Sequence, residues 1–168
     1  MKSFVLAFAL TLLAAPAAYA VPARDTLAGF NGIAFGAGFA AVKKQLGAGA
    51  KADTDPGDAK IKILLAKAEL HGETLAVNYT FANKGRLSAI HAVALLPAGD
   101  QGACQARWVG VLAGVEEEWG KPDANFNRLS AEIPMQTITY AFDDGAAIEA
   151  GLLGCLLKLN YLSPATAK

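Results

Sequence analysis

The sequence predicts an α+β fold in which duplicated helix-then-antiparallel-meander units form one antiparallel sheet with two helices packed on one face. Three observations carry that reading. Cys104 to Pro122 has helical periodicity: Cys104, Trp108, Val111, Leu112, Val115 and Trp119 share one stripe, and Gly120 with Pro122 is a stop signal. The hydrophobic period changes to two from Lys60 to Leu96 and again beyond Thr137, with turn residues between the runs. The two halves, about residues 32–96 and 103–162, also match each other. Val42-Lys43-Lys44-Gln45-Leu46-Gly47 answers Val115-Glu116-Glu117-Glu118-Trp119-Gly120, and Tyr79-Thr80-Phe81 before Gly85 answers Tyr140-Ala141-Phe142 before Gly145.

Ahead of these units, residues 1–20 read as a secretory signal peptide. Lys2 supplies the positive start, Phe4 to Ala15 the apolar run, and Ala18 and Ala20 the small residues of a cleavage site between Ala20 and Val21. The apolar run falls short of the ~20 residues a spanning helix needs and ends at Pro16. No lipid-attachment cysteine lies near the processing site. The expected product is a soluble protein of the periplasm or one secreted, with no stable membrane anchor. Removing the leader leaves 148 of the 168 residues, the size of a single domain, predicted over residues 21–168. The leader carries Lys2 and no acid, so 15 basic against 15 acidic residues becomes 14 against 15. That balance offers no basic excess for nucleic acid and no charged tail.

Residues 21–31 show no strong period and read as an irregular lead-in. Within Gly32 to Gly47, Phe35, Phe39, Val42 and Leu46 recur at helical spacing while Lys43 and Lys44 face out. A short helix entered through a glycine turn at Gly36 and Gly38 is expected. Those glycines lack the GK[ST] or GxGxxG context of a phosphate loop. Residues 48–60 are polar and turn-rich and read as an exposed loop; Asp53, Asp55 and Asp58 lack the register and closing glutamate of a calcium loop. Strands follow at Ile61, Ile63 and Leu65, at Leu75, Val77, Tyr79 and Phe81, and from Leu87 to Leu96. His71-Gly72-Glu73 and Asn83-Lys84-Gly85 reverse the chain between them.

After the long helix, Asp123 to Pro134 reads as loop. Thr137 to Phe142 alternates with Ile138, Tyr140 and Phe142 inward, and Asp143-Asp144-Gly145 turns into a strand from Ala146 to Ala150. Leu152 to Leu162 is the most apolar strand, and its continuous hydrophobicity predicts a central position, covered on one face by helix and on the other by a partner. Residues 163–168 are expected to fray. Cys104 and Cys155 are the two cysteines; Cys104 lies on the helix stripe and Cys155 shares parity with Leu153, Leu157, Leu159 and Tyr161, so one disulfide is predicted. There is no CxxC pattern to suggest a redox thiol. Trp108 is expected to be buried against the final strands.

No nucleophile, base and orienter can be assembled from spacing. His71 belongs to a turn and His91 to a strand, each without a second histidine or carboxylate at metal-ligand spacing, and the Asn83-Lys84-Gly85 register places His91 near Val77. Asp143 and Asp144 are first of all turn formers. Glu116, Glu117 and Glu118 crowd the last helical turn, where the helix dipole disfavours negative charge; water tolerates them there, or a cationic neighbour or partner relieves them. Neither cofactor nor metal is expected.

The Gly32-Ile33-Ala34-Phe35-Gly36 entry with Val42, Leu46 and Gly47, the helix-then-meander order and the exported length resemble the β-lactamase-inhibitor-like fold, which also includes small outer-membrane assembly lipoproteins. The resemblance implies the fold described above and an inhibitor-like or assembly-factor-like role. The chain departs from the assembly lipoproteins in lacking their lipid-attachment cysteine. Asn83-Lys84-Gly85 has no counterpart to the aspartate that the inhibitor inserts into its target.

The function expected is therefore a non-catalytic interaction module whose partner is another exported or envelope protein. Its surface would be the sheet face opposite the helices, with Thr74, Ala76, Asn78 and Thr80 beside Thr137, Thr139 and Ala141. The alternative is a small periplasmic hydrolase using Asp143, Asp144, Glu149 or His91.

Overall fold

Strands of alternating character make a sheet with two unlike faces, and that alternation organises this molecule. The computed structural model describes residues 24, 26–82, 84–96, 101–129 and 134–164. The predicted leader with its Ala20–Val21 junction, Asn83 of the predicted turn and residues 165–168 of the predicted frayed end lie outside the described residues.

A short hairpin, β1 (Gly29–Phe30) and β2 (Ile33–Ala34), comes first, then helix α1 (Phe39–Leu46). Strands β3 (Lys51–Thr54), β4 (Lys62–Leu70), β5 (Glu73–Ala82) and β6 (Arg86–Leu95) follow, then helix α2 (Gln101–Trp119). The chain continues through β7 (Ala124–Leu129), β8 (Pro134–Ala141), β9 (Ala147–Leu153) and β10 (Leu156–Leu162). Strands β3 to β10 form one antiparallel sheet in the order β3-β4-β5-β6-β10-β9-β8-β7, so the class is α+β. β6 and β10 pair at its centre, with Leu95 opposite Leu156 and Ala89 opposite Leu162.

One hydrophobic cluster lies on the inner face. β5 contributes Leu75, Val77, Tyr79 and Phe81, β8 and its following residue Ile138, Tyr140 and Phe142, β9 Ile148, Ala150 and Leu152, and β10 Leu157, Leu159 and Tyr161. In β4 the buried positions are Leu64 and Ala68, while Ile63 and Leu65 are half-buried. α2 presses Cys104, Trp108, Val111 and Val115 into the cluster, and α1 adds Val42. Phe35, Phe39, Leu46, Leu112 and Trp119 are half-buried against it. Phe39 meets Phe81 edge-on at 5.1 Å between centroids, a favourable aromatic geometry.

Several expected loops are strands. Residues 48–60 contain β3 and residues 123–134 contain β7, the two edges of the sheet. All four residues of β3 are exposed, so an edge of this kind shows no period-two burial for a pattern to reveal. The β1–β2 hairpin around Asn31-Gly32 spans the end of the lead-in and the start of the segment expected to be helical, and α1 begins at Phe39 instead of including Phe35. The apolar run from Leu152 is two strands: Gly154, at φ +60°, and Cys155 form a tight turn between β9 and β10. Ser163 does not fray; its N–H donates to the Ser88 carbonyl at 3.0 Å and the residue is buried.

Candidate interaction face

The outer face of the sheet is set by one inserted residue. The β5–β6 turn begins a register of Ala82 opposite Arg86 and Phe81 opposite Leu87, which, if continued, would place His91 beside Val77 on the core side. Instead the register shifts between Phe81 and Thr80, Ser88 is the extra residue, and beyond it Thr80 faces Ala89 and Asn78 faces His91. A strand has a period of two, so a one-residue bulge moves every later side chain to the opposite face. The expected pairing of His91 with Val77 is corrected accordingly. Ser88 is buried; its hydroxyl donates to the Thr80 carbonyl at 3.3 Å and accepts from the Ala82 N–H at 3.4 Å.

His91 thereby joins a polar row across five strands: Asn78, His91, Asn160, Glu149 and Thr139. His91 Nδ1 lies 2.9 Å from Asn160 Oδ1, and Asn160 Nδ2 donates to Glu149 Oε2 at 3.2 Å. Because that amide orientation leaves Asn160 Oδ1 only able to accept, His91 carries its proton on Nδ1. Two residues along the strands, Val93, Lys158, Gly151 and Thr137 make the next row. Two further along, Leu95, Leu156, Leu153 and Met135 make an apolar one, with Leu95 78 %, Leu153 49 % and Leu156 38 % exposed.

A hollow of about 340 Å³ lies between the polar and apolar rows, with Glu149 and Asn160 at one side, Leu153 and Leu156 at the other, and Lys158 on its wall. Gly151 forms part of its lining, where a Cβ would come within 3.0 Å of the Gln136 carbonyl oxygen. A surface that sets charged and amide groups beside exposed leucines can desolvate an apolar group and orient its polar neighbours, as protein-binding surfaces do.

The other expected site residues fall into three groups. Thr74, Ala76, Asn78 and Ala141 are exposed and Thr80, Thr137 and Thr139 half-buried, with Asn78 and Thr139 in the polar row and Thr137 in the next. Asp143 and Asp144 sit at the β8–β9 turn, where Asp144 Oδ1 accepts from the Ala146 N–H at 2.8 Å and the Asp143 N–H donates to the Arg24 carbonyl at 2.9 Å. β8 is three positions from β6, so these acids are not brought to His91; Glu149 is, through Asn160. His71, at φ +47°, lies at the β4–β5 tip with its ring against Gly114 of α2, where a Cβ would stand 2.2 Å from Nδ1. Arg107 of α2 holds the same tip through both carboxylate oxygens of Glu73, each at 3.0 Å. Among the described residues no group of three or more His, Cys, Asp or Glu side chains comes together as a metal site.

Cys104 and Cys155 are bonded, with Cα atoms 5.3 Å apart. Cys155 belongs to the β9–β10 turn and is half-buried, which corrects its expected place in strand parity.

The residue that sequence reasoning missed is Arg24. Its guanidinium Nε donates to the Trp119 carbonyl at 2.8 Å, another nitrogen bonds the Lys121 carbonyl, and Nη1 pairs with Asp123 at 2.5 Å. It also lies 4.8 Å from the centroid of the Tyr140 ring. This buried cation caps the C-terminus of α2, whose partial negative charge it complements. Glu116, Glu117 and Glu118 remain exposed.

Compared with known family models, curated proteins and solved structures, the chain finds no match. Among the described residues, no helix is long and apolar enough to cross a membrane.

Proposed function

We propose that this chain is an exported, non-catalytic binding module that docks another envelope or secreted protein on its outer sheet face. The observation that carries the proposal is the leucine row: Leu95, Leu156 and Leu153 stand in register, exposed, beside the hollow. Large apolar side chains grouped on one exposed face, rimmed by polar groups, mark a contact surface more often than scattered ones do. Export is supported by the leader pattern and by the Cys104–Cys155 bond, which suits an oxidising compartment. A hydrolytic centre built from His91, Asp143 and Asp144 is not part of the proposal, because these groups stand on separate parts of the sheet.

The finer architecture we propose is a duplication. Each helix precedes four strands, each helix ends at a glycine of nearly equal φ, +73° at Gly47 and +74° at Gly120, and Tyr79 and Tyr140 occupy matching buried positions. These correspondences support the resemblance in layout to the β-lactamase-inhibitor-like fold, and with it a role in binding.

A photo-crosslinking residue at Leu153 tests the docking surface, with Val109 on the exposed side of α2 as the control position. The Leu153 probe is expected to give a discrete adduct with an envelope protein, and Leu156→Asp to remove it without lowering the melting midpoint. Equal labelling from Val109, or an adduct indifferent to Leu156→Asp, would sink the proposal.

A further inference from the structure

The hollow on the outer face is built around a missing side chain. Gly151 stands mid-strand in β9 with its registers to β8 and β10 running through it unbroken, and its neighbours in the row are Thr137 and Lys158. A glycine inside a strand, without a bulge, often marks a place where a ligand or another backbone comes close. Around that gap the chemistry is sorted by row: Glu149 and Asn160 on one side, Lys158 beside the gap, and Leu153, Leu156 and Met135 on the other side.

The polar groups here have capacity that the protein does not use. Asn160 is only 9 % exposed and lines the hollow. One of its two amide hydrogens goes to Glu149 and its oxygen accepts from His91, while the second hydrogen has no partner among the described residues. A buried donor is ordinarily paired, so a spare one on the wall of a hollow is a place for an acceptor brought by a ligand. Lys158, two positions back along β10 on the same face, has no ion-pair partner among the described residues, and neither has Glu149. The two are diagonal neighbours across β9 and β10, a relation that sets Cα atoms roughly 7–8 Å apart. A cation and a carboxylate so spaced, and not paired with each other, leave room between them for a small group that carries both charges.

We propose that the hollow binds a free α-amino acid with an apolar side chain. Its carboxylate takes the Lys158 ammonium and the spare Asn160 hydrogen, its ammonium meets Glu149, and its side chain passes over Gly151 onto Leu153, Leu156 and Met135. Charge decides among the ligand classes: a fatty acid would set a carboxylate beside Glu149 with nothing to offset it, and an apolar amine would leave Lys158 facing a second cation. The volume, about 340 Å³, is at the low end of the roughly 300–1,000 Å³ of small-molecule sites, which suits a ligand the size of one residue. The site needs no protein partner and so goes beyond the docking surface proposed above.

The test is calorimetry on the purified, oxidised protein with leucine, with leucinamide, which lacks the carboxylate, and with N-acetyl-leucine, which lacks the ammonium. Leucine is expected to bind saturably, and each blocked analogue at least about tenfold more weakly because a charge-assisted contact is gone. Lys158→Met should weaken leucine about tenfold and leave leucinamide unchanged, whereas Glu149→Gln should weaken leucine about tenfold and leave N-acetyl-leucine unchanged or stronger. Both positions are exposed, so the melting midpoints stay at the parent value. N-acetyl-leucine binding as tightly as leucine would identify the end of a polypeptide as the ligand, and leucinamide doing so would identify an amine; either result overturns the proposal. So would the absence of saturable heat from leucine, methionine and phenylalanine up to about 10 mM, or a Lys158→Met variant that binds leucine like the parent. A failed crosslink at Leu153 bears on the docking surface alone.

Discussion

The Cys104–Cys155 bond fastens the start of α2 to the β9–β10 turn, and removing it is a perturbation whose size follows from the structure. The two cysteines are 51 residues apart. In the chain-entropy description, closing a loop of that length removes about 14 cal/mol/K from the unfolded ensemble, or ~4 kcal/mol at room temperature. Against a typical stability of roughly 5–15 kcal/mol this is a large share. At ~2–4 °C per kcal/mol for a chain of this size, the midpoint should fall by about 8–16 °C. The comparison is between oxidised protein, reduced protein and Cys155→Ser, a change made at the half-buried turn position so that no hydroxyl enters the core. Alkylation and mass measurement first establish that thiols appear only after reduction. Denaturant unfolding should then show a larger m-value without the bond, because the uncrosslinked chain exposes more surface when unfolded. Reduced protein melting within about 2 °C of the oxidised form would refute the reasoning, since the loop term alone predicts several times that.

Two further outcomes are expected. Trp108→Ala, at a fully buried position on the α2 stripe, should cost about 3–5 kcal/mol in chemical denaturation through lost burial and a residual cavity; retained stability with loss of a binding partner would instead make it an interface residue. The second concerns alkali. Tyr79, Tyr140 and Tyr161 all have raised pKa values from burial, that of Tyr140 to about 12 with Glu116 and Asp123 adding to burial and Arg24 opposing it. Their neutral forms are favoured by the fold, so the stability is whole below the ordinary value of 10.0 and is lost as pH rises from there toward 12. In protein without residues 1–20, and so without Tyr19, absorbance titration with circular dichroism should show no tyrosinate step near pH 10 while the fold persists; a tyrosine ionising there in folded protein would contradict the burial argument.

What could be read from the sequence was what has a periodic signal. α2 was legible because its apolar stripe repeats and Gly120 stops it, and β5 because Leu75, Val77, Tyr79 and Phe81 alternate with the small residues Ala76, Asn78 and Thr80. The edge β3 was not, since all four of its residues are exposed and an uncovered strand needs no buried parity. The position of His91 was beyond reach for a different reason: Ser88 looks like any other small residue in a strand, yet as a bulge it decides the face of everything after it. Leu153-Gly154-Cys155-Leu156 was read as continuous strand because leucines flank a glycine turn only two residues long, although that glycine was the available signal. Arg24 gave no local sign, because the carbonyls and carboxylate it serves lie about a hundred residues away along the chain. The rows of the outer face exist only once strands from both halves are in register.

The pairing of β6 with β10 has a consequence for how the molecule is made. β4, β5 and β6 can zip through neighbouring hairpins, and so can β7, β8 and β9, each contact closing a short loop. β10 must in addition find β6, with partners such as Ala89 and Leu162 lying 73 residues apart. Contacts of such long range form slowly, because chain entropy is lost before they return any stabilisation. Until they form, β6 presents an open backbone edge. A chain that becomes free from its N-terminus onward therefore cannot complete its sheet until the residues of β10 are free to pair.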